Sequence, residues 1–259
     1  MIFIRSLIFN ICFYSLTTLC CFILLPTLLF SRRVILAGIM FYVRSVAWLE
    51  KYIVGLTYEV RGTENLPKEG TVIIAAKHQS AYETLKLHLL LGDPTIVLKK
   101  ELMNIPLFSV FLRKIGVIAI DRSDKEGSIK AILDGAEKMK KSNRPILIFP
   151  QGTRVAPHVS AKEKSYKGGI AKMYEYTGLP ITPLALNSGL FWGRNSFWKR
   201  PGKVIFEFLP SIEPGLPDKK VMKAIEDRLE NASTKLMQEA KQQNKSIENI
   251  RILELRAEQ

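Results

Sequence analysis

The first 50 residues contain only five charged side chains, and this scarcity constrains the chain more than any other feature. Residues 7–25 include no charged side chain and consist mainly of Leu, Ile, Phe and Cys. With residues 28–30 beyond Pro26, this run would extend roughly 36 Å as a helix, against about 30 Å for the hydrocarbon core of a bilayer. We therefore predict that residues 1–50 form a membrane anchor of one or two apolar helices, ahead of a polar domain over residues 51–259.

Two arrangements of this anchor fit the sequence. Pro26 should kink the first helix, and a second apolar run over residues 34–49 is shorter and is interrupted by Arg44. Residues 7–30 either span the bilayer, or dip into one leaflet together with the second run. A cleaved signal peptide is disfavoured, because the run is too long and basic residues follow it. In a spanning arrangement, Arg32 and Arg33 favour the cytoplasmic side, which places the following domain on the cytoplasmic face of the inner membrane.

The formal net charge of +14 at pH 7 suggests an anionic partner. The basic residues are dispersed and no nucleic-acid-binding motif accompanies them, so we expect no specific nucleic-acid partner. Anionic lipid headgroups and phosphorylated substrates account for the charge equally well. All three cysteines lie in the apolar run without the spacing of metal ligands, so the sequence predicts no metal site.

Beyond residue 50, strand-like and helical segments alternate, which predicts an α/β fold: a mostly parallel central sheet flanked by helices. Helical patterns cover residues 81–91, 125–141 and 167–176, and a charged helix over residues 218–255 has a candidate break at 242–246. The predicted strands are residues 57–60, 71–76, 95–98, 116–120, 145–149, 181–186 and 204–208.

Four polar clusters each follow directly after a predicted strand. They are residues 77–80, 99–101, 121–123 and 151–154. Because ligands bind at the carboxyl ends of parallel strands, all four should lie on one rim of the sheet. That rim combines a candidate base, several cations and a glycine turn, a set that suits a phosphate group and a developing oxyanion.

The first cluster contains His78, with Glu83 five residues further on. Glu83 would lie in the first turn of a helix, where its carboxylate could orient the imidazole of a general base. Ser80 and Glu83 also form the pattern of a capping box, in which Glu83 merely accepts a backbone N–H at the helix start. The sequence leaves both roles for Glu83 open.

These blocks, in this order, resemble the motifs of the glycerolipid acyltransferases, and most closely the bacterial 1-acylglycerol-3-phosphate acyltransferases. The similarity covers about residues 70–190. It includes His78 and Glu83, the segment 99–108, residues 116–122, the segment 149–154 and residues 181–184. The chain departs from the family at two positions, since Glu83 stands where Asp is usual and Gln151 where Glu is usual.

The resemblance implies a role for each matching residue. It makes His78 and Glu83 the catalytic residues. Arg122 and Arg154 suit bidentate binding of phosphate, and Gln151 is interpreted as support for the turn. The predicted substrate-binding residues are Lys100, Arg122, Gln151, Gly152, Thr153 and Arg154.

The same resemblance implies transfer of an acyl group from a thioester on coenzyme A or acyl carrier protein to the sn-2 hydroxyl of 1-acylglycerol 3-phosphate. No cofactor beyond that co-substrate is expected. A covalent route is disfavoured, because the chain lacks G-x-S-x-G and has no cysteine in its polar domain. Two alternatives stay open: a different acceptor, such as glycerol 3-phosphate or a lyso-ornithine lipid, and a non-catalytic membrane protein that binds phospholipid. The aromatic-basic stretch 191–200 is either a membrane-interface segment or an ordinary loop with buried Trp.

Overall fold

The seven predicted strands all form and lie in one sheet. The structure is a computed structural model that describes the backbone of residues 1–257 and the side chains of residues 1–124 and 126–242. The strands are β1 (Leu56–Arg61), β2 (Ile73–Ala76), β3 (Thr95–Lys99), β4 (Ile118–Ile120), β5 (Ile146–Ile148), β6 (Ile181–Leu186) and β7 (Gly202–Phe208).

The spatial order of the strands is β1-β7-β6-β2-β5-β3-β4. Every neighbouring pair is parallel except β6 with β7, so β1 and β7 run opposite to the other five strands. The prediction of a mostly parallel sheet is therefore confirmed. The central strands β2, β5 and β6 are buried at every residue, as expected where helices cover both faces of a parallel sheet.

Seven helices accompany the sheet in the described part of the chain. They are α1 (Ile2–Ile23), α2 (Arg32–Leu49), α3 (Tyr82–Leu91), α4 (Phe108–Ile115), α5 (Lys125–Lys141), α6 (Gly169–Thr177) and α7 (Asp218–Ala257). The sequence pattern does not predict α4. The predicted break at residues 242–246 is wrong, because α7 continues through them. That segment contains neither Gly nor Pro, and extending an existing helix costs little per residue.

Alternate residues along β2 show how the helices divide between the two faces of the sheet. Ile73 and Ala75 pack in the core beneath α5, α6 and α7. Ile74 and Ala76 pack in the core that includes α1 and α3. Because successive side chains of a strand point to opposite faces, the amino-terminal helices and α5–α7 lie on opposite sides of the sheet.

Helices α1 and α2 form a hairpin around a 3₁₀ turn, Leu25–Leu29, that contains Pro26. Thr17 on α1 and Tyr42 on α2 are hydrogen-bonded at 2.8 Å, and Leu24 contacts Gly38, so the two helices are antiparallel. The segment Ile2–Leu29 is long and apolar enough to cross a membrane.

The hairpin also packs along the domain at both of its ends. At one end, the Ser6 hydroxyl donates to the carbonyl oxygen of Lys199 at 3.2 Å. At the other end, Arg32 forms a two-pronged ion pair with Asp93. The boundary between residues 50 and 51 stays a prediction, but the anchor is docked against the domain and does not project away from it.

Candidate active site

The rim predicted from the sequence surrounds one cavity of about 1600 Å³. Its lining brings together residues from the ends of β2, β4 and β5, as expected for the carboxyl edge of a parallel sheet. Six of the eight predicted site residues line this cavity: His78, Arg122, Gln151, Gly152, Thr153 and Arg154.

His78 follows β2, and contacts with Glu83 and Phe149 fix the orientation of its ring. Its Nδ1 lies 2.7 Å from Oε1 of Glu83, and its ring stacks on Phe149 with the centroids 4.0 Å apart. Oε1 also accepts backbone N–H groups, and a carboxylate is an acceptor only, so Nδ1 donates in this pair. The other nitrogen, Nε2, is then the free acceptor, on a residue that lines the cavity. A neutral imidazole in this tautomer can take a proton from a ligand.

Glu83 combines the two roles that the sequence leaves open. It is fully buried in the first turn of α3. Its Oε1 accepts the backbone N–H of Gln79 at 2.8 Å and of Ser80 at 2.7 Å, in addition to the imidazole of His78. The Ser80 hydroxyl in turn accepts the N–H of Tyr82 at 3.1 Å. The same carboxylate therefore orients the imidazole and caps the helix.

The loop after β6 adds contacts that the sequence analysis missed. Ser188, fully buried, donates its hydroxyl to Oε2 of Glu83 at 2.7 Å. Gln79 bridges to the same loop, since its Oε1 accepts the N–H of Gly189 at 3.0 Å and its Nε2 donates to Leu186 at 3.1 Å. Four donors thus converge on Glu83, which fixes both of its oxygens. The sequence offers one signal for Ser188, its position two residues after the predicted strand 181–186.

Cationic groups gather around the turn at Gly152, which adjoins His78, since the N–H of Val155 donates to the carbonyl oxygen of His78 at 2.7 Å. This glycine has φ +69°, and a Cβ there would lie 3.9 Å from the guanidinium of Arg122. Arg154 follows two residues later, and its buried Nε has no partner among the described residues. Among the described residues, neither arginine pairs with the nearby carboxylates in the sequence, since Asp121 contacts Ser123 and Lys100 and Glu163 contacts Ser160.

Gln151 lies beneath this turn and is 2% exposed. Its Nε2 donates to the carbonyl oxygen of Lys164 at 3.2 Å, which ties the turn to the loop before α6. Its Oε1 is buried without a partner in the described part of the chain. The contact agrees with the interpretation of Gln151 as support for the turn.

Lys100 is not brought into the cavity. Its side chain is 65% exposed, and its Nζ lies 3.5 Å from Oδ2 of Asp121. Hydrogen bonds from Ser123, assisted by Lys100, lower the pKa of Asp121 below its usual value, which suits an ionised partner for the lysine. The geometry gives Lys100 no contact with the space in front of His78.

One arm of the cavity is apolar and runs between the hairpin and helices α3 and α4. Cys20, Leu24 and Val43 line it from the hairpin, and Phe111 and Leu112 line it from α4. Such an arm excludes water and accepts hydrocarbon.

The aromatic-basic stretch 191–200 has features of both predicted roles, a loop with buried Trp and a membrane-interface segment. Trp192 is buried against the anchor, with its ring centroid 5.2 Å from that of Phe9 and 5.5 Å from that of Phe13. Phe197 and Trp198 are exposed, at 39% and 47%. Burial lowers the pKa of Lys199, whose Nζ lies over the Trp192 ring, to about 8. The stretch joins the anchor to the rim and also presents aromatic side chains outward.

Comparison with known proteins gives a consistent assignment. Residues 57–187 match the family model described as Acyltransferase. The chain is 37% identical over 161 residues to the 1-acyl-sn-glycerol-3-phosphate acyltransferase of Pseudomonas aeruginosa, covering 62% of this chain and 61% of that relative. It is 30% identical over 176 residues to the protein of the same description from Borreliella burgdorferi, covering 66% and 67%. The match therefore spans less than two thirds of the Pseudomonas protein's length.

The fold is also similar to a solved structure. The crystal structure of the 1-acyl-sn-glycerophosphate acyltransferase from Thermotoga maritima superposes with a TM-score of 0.74 and 22% sequence identity. The superposition covers 92% of this chain and 98% of that protein.

Proposed function

The chain belongs to the acyltransferase family, and from that premise we propose that it transfers a fatty acyl group from an acyl thioester to the sn-2 hydroxyl of 1-acylglycerol 3-phosphate. The products are phosphatidic acid and the free thiol of the carrier. The observation that carries this proposal is the oriented pair of His78 and Glu83, with Nε2 of His78 free on a residue that lines the cavity.

The reaction needs a base and later an acid at one position. Nε2 of His78 takes the proton of the sn-2 hydroxyl as its oxygen attacks the thioester carbonyl carbon. The carbon–sulfur bond then breaks, and the imidazolium returns the proton to the departing thiolate. Positioned acid–base catalysis of this kind contributes about 10²- to 10⁴-fold, and buried Glu83 stabilises the transient imidazolium.

The acceptor's phosphate is assigned to the cationic side of the cavity. Arg122 and Arg154 offer planar forks that match phosphate oxygens, and the Gly152 turn leaves room for a close approach. This feature favours a phosphate-bearing acceptor over a lyso-ornithine lipid. A comparison of turnover with 1-acylglycerol 3-phosphate, glycerol 3-phosphate and lyso-ornithine lipid tests the choice of acceptor.

The anchor is assigned to the surface of the inner membrane, with the domain on its cytoplasmic face. Both ends of the hairpin contact the domain, which favours the arrangement that dips into one leaflet over the one that spans the bilayer. Exposed apolar side chains continue from the hairpin onto neighbouring parts of the domain. They include Ile11, Phe22 and Phe41 on the hairpin, Phe108 on α4 and Trp198.

The catalytic role of His78 is tested by His78→Ala in the full chain, assayed with acyl-coenzyme A and 1-acylglycerol 3-phosphate. We expect formation of phosphatidic acid to fall by at least about 10²-fold, with vesicle binding unchanged. His158→Ala is the matched control, since His158 is exposed and lies outside the cavity lining. If the His78→Ala chain turned over substrate about as fast as the control, His78 would be excluded as the base. If the wild-type chain bound lipid but showed no turnover, the result would favour a non-catalytic lipid-binding protein.

The membrane assignment is tested with Ile11→Asp and Phe41→Asp, which place a charge among the exposed apolar side chains. We expect co-sedimentation with phospholipid vesicles to fall about tenfold or more, because burying each carboxylate in lipid is unfavourable. Tyr176→Asp is the control, because Tyr176 is 58% exposed on α6, on the opposite side of the sheet. Equal losses in all three variants would contradict the assigned surface.

A further inference from the structure

The apolar arm of the cavity contains polar side chains that a hydrocarbon chain cannot use. Thr84 and His88 line it from α3, where they lie four residues apart and therefore on one face of the helix. Tyr42 lines it from α2, beside Val43. Thr84, His88 and Tyr42 are all half-buried. The hydrogen bonds that these three side chains already form determine which kind of ligand the arm favours.

His88 presents a nitrogen that can only accept a hydrogen bond. Its Nδ1 lies 3.0 Å from the carbonyl oxygen of Thr84, and because a carbonyl oxygen has no proton to give, Nδ1 donates. Burial lowers the pKa of His88 below its usual value, so the imidazole is neutral at pH 7. Nε2 therefore keeps its lone pair. It has no partner among the described residues and is accessible, on a residue that lines the cavity.

The hydroxyl groups of Tyr42 and Thr84 are also acceptors for a ligand. Thr17 donates its only hydroxyl proton to the carbonyl oxygen of Phe13 at 2.7 Å. The 2.8 Å contact between Thr17 and Tyr42 is then donated by Tyr42, which leaves lone pairs on the phenolic oxygen. Thr84 likewise donates to the carbonyl oxygen of Ala81 at 2.6 Å. The protons of both hydroxyls are thus already used within the protein.

The arm therefore offers acceptors on His88, Tyr42 and Thr84, while the protons of these side chains are donated elsewhere. Cys20 and Cys21 line the same arm, but a thiol is only a weak donor. A saturated hydrocarbon chain packed against the acceptors would leave them without a donor and away from water, which is unfavourable. A chain that carries a hydroxyl group would supply the missing donor.

The position of His88 indicates where along a chain that hydroxyl would lie. Glu83 contacts His78 at the reacting end of the cavity. His88 lies five residues further along α3, which is roughly 7 Å at about 1.5 Å per residue. A hydroxyl at this depth belongs to the middle of a long acyl chain and not to the carbons beside its carbonyl group.

Tyr42 lies in the same stretch of the arm, on the hairpin. Two ion pairs set the position of α2 against α3, namely Arg32 with Asp93 and Glu50 with Lys86. Along α2, Tyr42 lies between the two pairs, and along the chain that includes α3, His88 lies between them. The two acceptors therefore occupy the same part of the arm.

From these observations we propose that the apolar arm selects an acyl chain with a hydroxyl group near its middle, and that this hydroxyl donates to Nε2 of His88. The inference rests on the proposed acyl transfer and adds the chemical class of the chain that is transferred. Tyr42 is a second acceptor for the same hydroxyl. His88 is then a specificity-determining residue, which acts on the choice of chain, whereas His78 acts on the reacting atoms.

The test compares donors of one chain length in the full chain: hexadecanoyl-, 10-hydroxyhexadecanoyl- and 3-hydroxyhexadecanoyl-coenzyme A, with 1-acylglycerol 3-phosphate as the acceptor. We expect kcat/KM of the wild type to be about tenfold or more higher for the 10-hydroxy chain than for the unsubstituted chain, because a buried acceptor gains its donor. The 3-hydroxy chain should show no such preference, since its hydroxyl lies near the reacting end. Equal kcat/KM for the three donors would overturn the proposal and indicate that water satisfies the acceptors.

His88→Leu removes the acceptor and keeps an apolar side chain in the arm. We expect the ratio of kcat/KM for the 10-hydroxy chain to that for the unsubstituted chain to fall to about two or less. His158→Leu is the matched control and should keep the wild-type ratio, because His158 is exposed and lies outside the cavity lining. Equal changes of the ratio in these two variants would overturn the proposal.

Tyr42→Phe gives a second measurement that does not depend on the folding of His88→Leu. It keeps the aromatic ring and removes only the phenolic oxygen, so the ratio should fall about twofold to threefold. A wild-type ratio in Tyr42→Phe, together with a wild-type ratio or a failure to fold in His88→Leu, would overturn the proposal.

Binding to a chain without turnover separates this inference from the proposed function. We expect titration calorimetry of His78→Ala to give a Kd about tenfold lower for the 10-hydroxy donor than for the unsubstituted donor, and His78→Ala/His88→Leu to show no such difference. A wild-type chain that forms phosphatidic acid from all three donors equally well would retain the acyl transfer and refute the selection. A chain that binds the 10-hydroxy donor more tightly through His88 but forms no phosphatidic acid would do the reverse.

Discussion

At the scale of single residues, the site depends on the hydrogen bonds that one buried carboxylate, that of Glu83, accepts. Oε1 of Glu83 accepts the imidazole of His78 and two backbone N–H groups, while Oε2 accepts the hydroxyl of Ser188. The extra methylene of Glu over the Asp usual in the family lets the carboxylate reach back from the first turn of α3 to the residues before the helix. The departure at residue 83 therefore leaves the contact between the carboxylate and the imidazole of His78 intact.

Glu83→Gln tests this double role. Glutamine has one oxygen and an N–H₂ group that cannot accept from Ser188, so the imidazole loses its anionic partner and one buried donor loses its acceptor. We expect kcat to fall by about 10²-fold or more and the free energy of unfolding to fall by about 1–3 kcal/mol. Steady-state kinetics and chemical denaturation measure the two effects. A loss of stability with kcat unchanged would leave Glu83 as a helix cap alone.

Ser188→Ala tests whether the hydrogen bond from Ser188 helps to orient Glu83 toward His78. The change removes one hydrogen bond to a charged group, a contact usually worth about 1.5–3 kcal/mol, without touching the cavity. We expect kcat to fall about tenfold with little change in KM, because Glu83 becomes less firmly oriented. Ser233→Ala is the control, since Ser233 is fully buried in α7 and its hydroxyl has no described partner. Similar kinetics in the two variants would refute a positioning role for Ser188.

At the scale of elements, the sequence predicts the strands well because parallel strands buried on both faces are short apolar runs with polar ends. It does not predict α4, which has only eight residues and follows Leu107, a non-glycine residue at φ +62°. The clusters at strand ends contain seven of the eight predicted site residues, and six of those seven line the cavity, because topology alone brings those ends together. Contacts between distant segments, such as Ser188 with Glu83 across 105 positions, depend on packing that no local pattern records.

Helix α7 is joined to the end of β2 by another contact between segments that are far apart in the sequence. Lys77, 2% exposed and adjacent to His78, donates to Oε2 of Glu230 at 3.0 Å and to the carbonyl oxygen of Val159 at 2.8 Å. The hydroxyl of Tyr166 donates to Oε1 of Glu230 at 2.9 Å. The long carboxyl-terminal helix thus holds both β2 and the loop that leads to α6.

Glu230→Leu tests the importance of that connection. The change leaves the buried ammonium of Lys77 without its counter-ion, and such breaks commonly cost about 3–5 kcal/mol. We expect the free energy of unfolding in denaturant to fall by about that amount, and Lys77→Met/Glu230→Leu to recover much of it. Glu137→Leu is the control, because its pair with Lys141 is exposed and 3.7 Å long, and should change stability by less than about 1 kcal/mol. A loss for Glu230→Leu no larger than for the control would contradict this account.

At the scale of the whole molecule, anchor and domain are joined by a buried ion pair. Glu50, at the end of the hairpin, contacts Lys86 on α3, and both are almost fully buried. The ammonium of Lys86 also lies 4.9 Å from the ring centroid of Tyr82. Burial raises the pKa of Glu50 from its ordinary 4.5 to about 7 and lowers the pKa of Lys86.

These shifts predict how stability depends on pH. Between about pH 4.5 and 7, the folded chain keeps a proton on Glu50 that the unfolded chain releases, so the free energy of unfolding falls as pH rises through this interval. The shift of Lys86 acts in the opposite sense at alkaline pH. Thermal unfolding of Glu50→Gln should show a flatter slope across pH 4.5–7, while exposed Glu64→Gln keeps the wild-type slope. An unchanged slope in Glu50→Gln would assign the dependence to another group.

The reversed direction of β1 and β7 determines the edge of the sheet at which the anchor joins the domain. Because these two strands run against the other five, both start at the carboxyl edge of the sheet, where Gly202 donates its N–H to Gly55 at 3.0 Å. The chain leaves α2 through one helical turn, Glu50–Val54, and enters β1 at this edge of the sheet, the same edge at which His78 lies. Under the proposed function, the strand order therefore sets the depth at which the imidazole meets the glycerol backbone of a lipid. We expect that replacing the hairpin with a tethered anchor would keep the molecule on the membrane and lose that alignment.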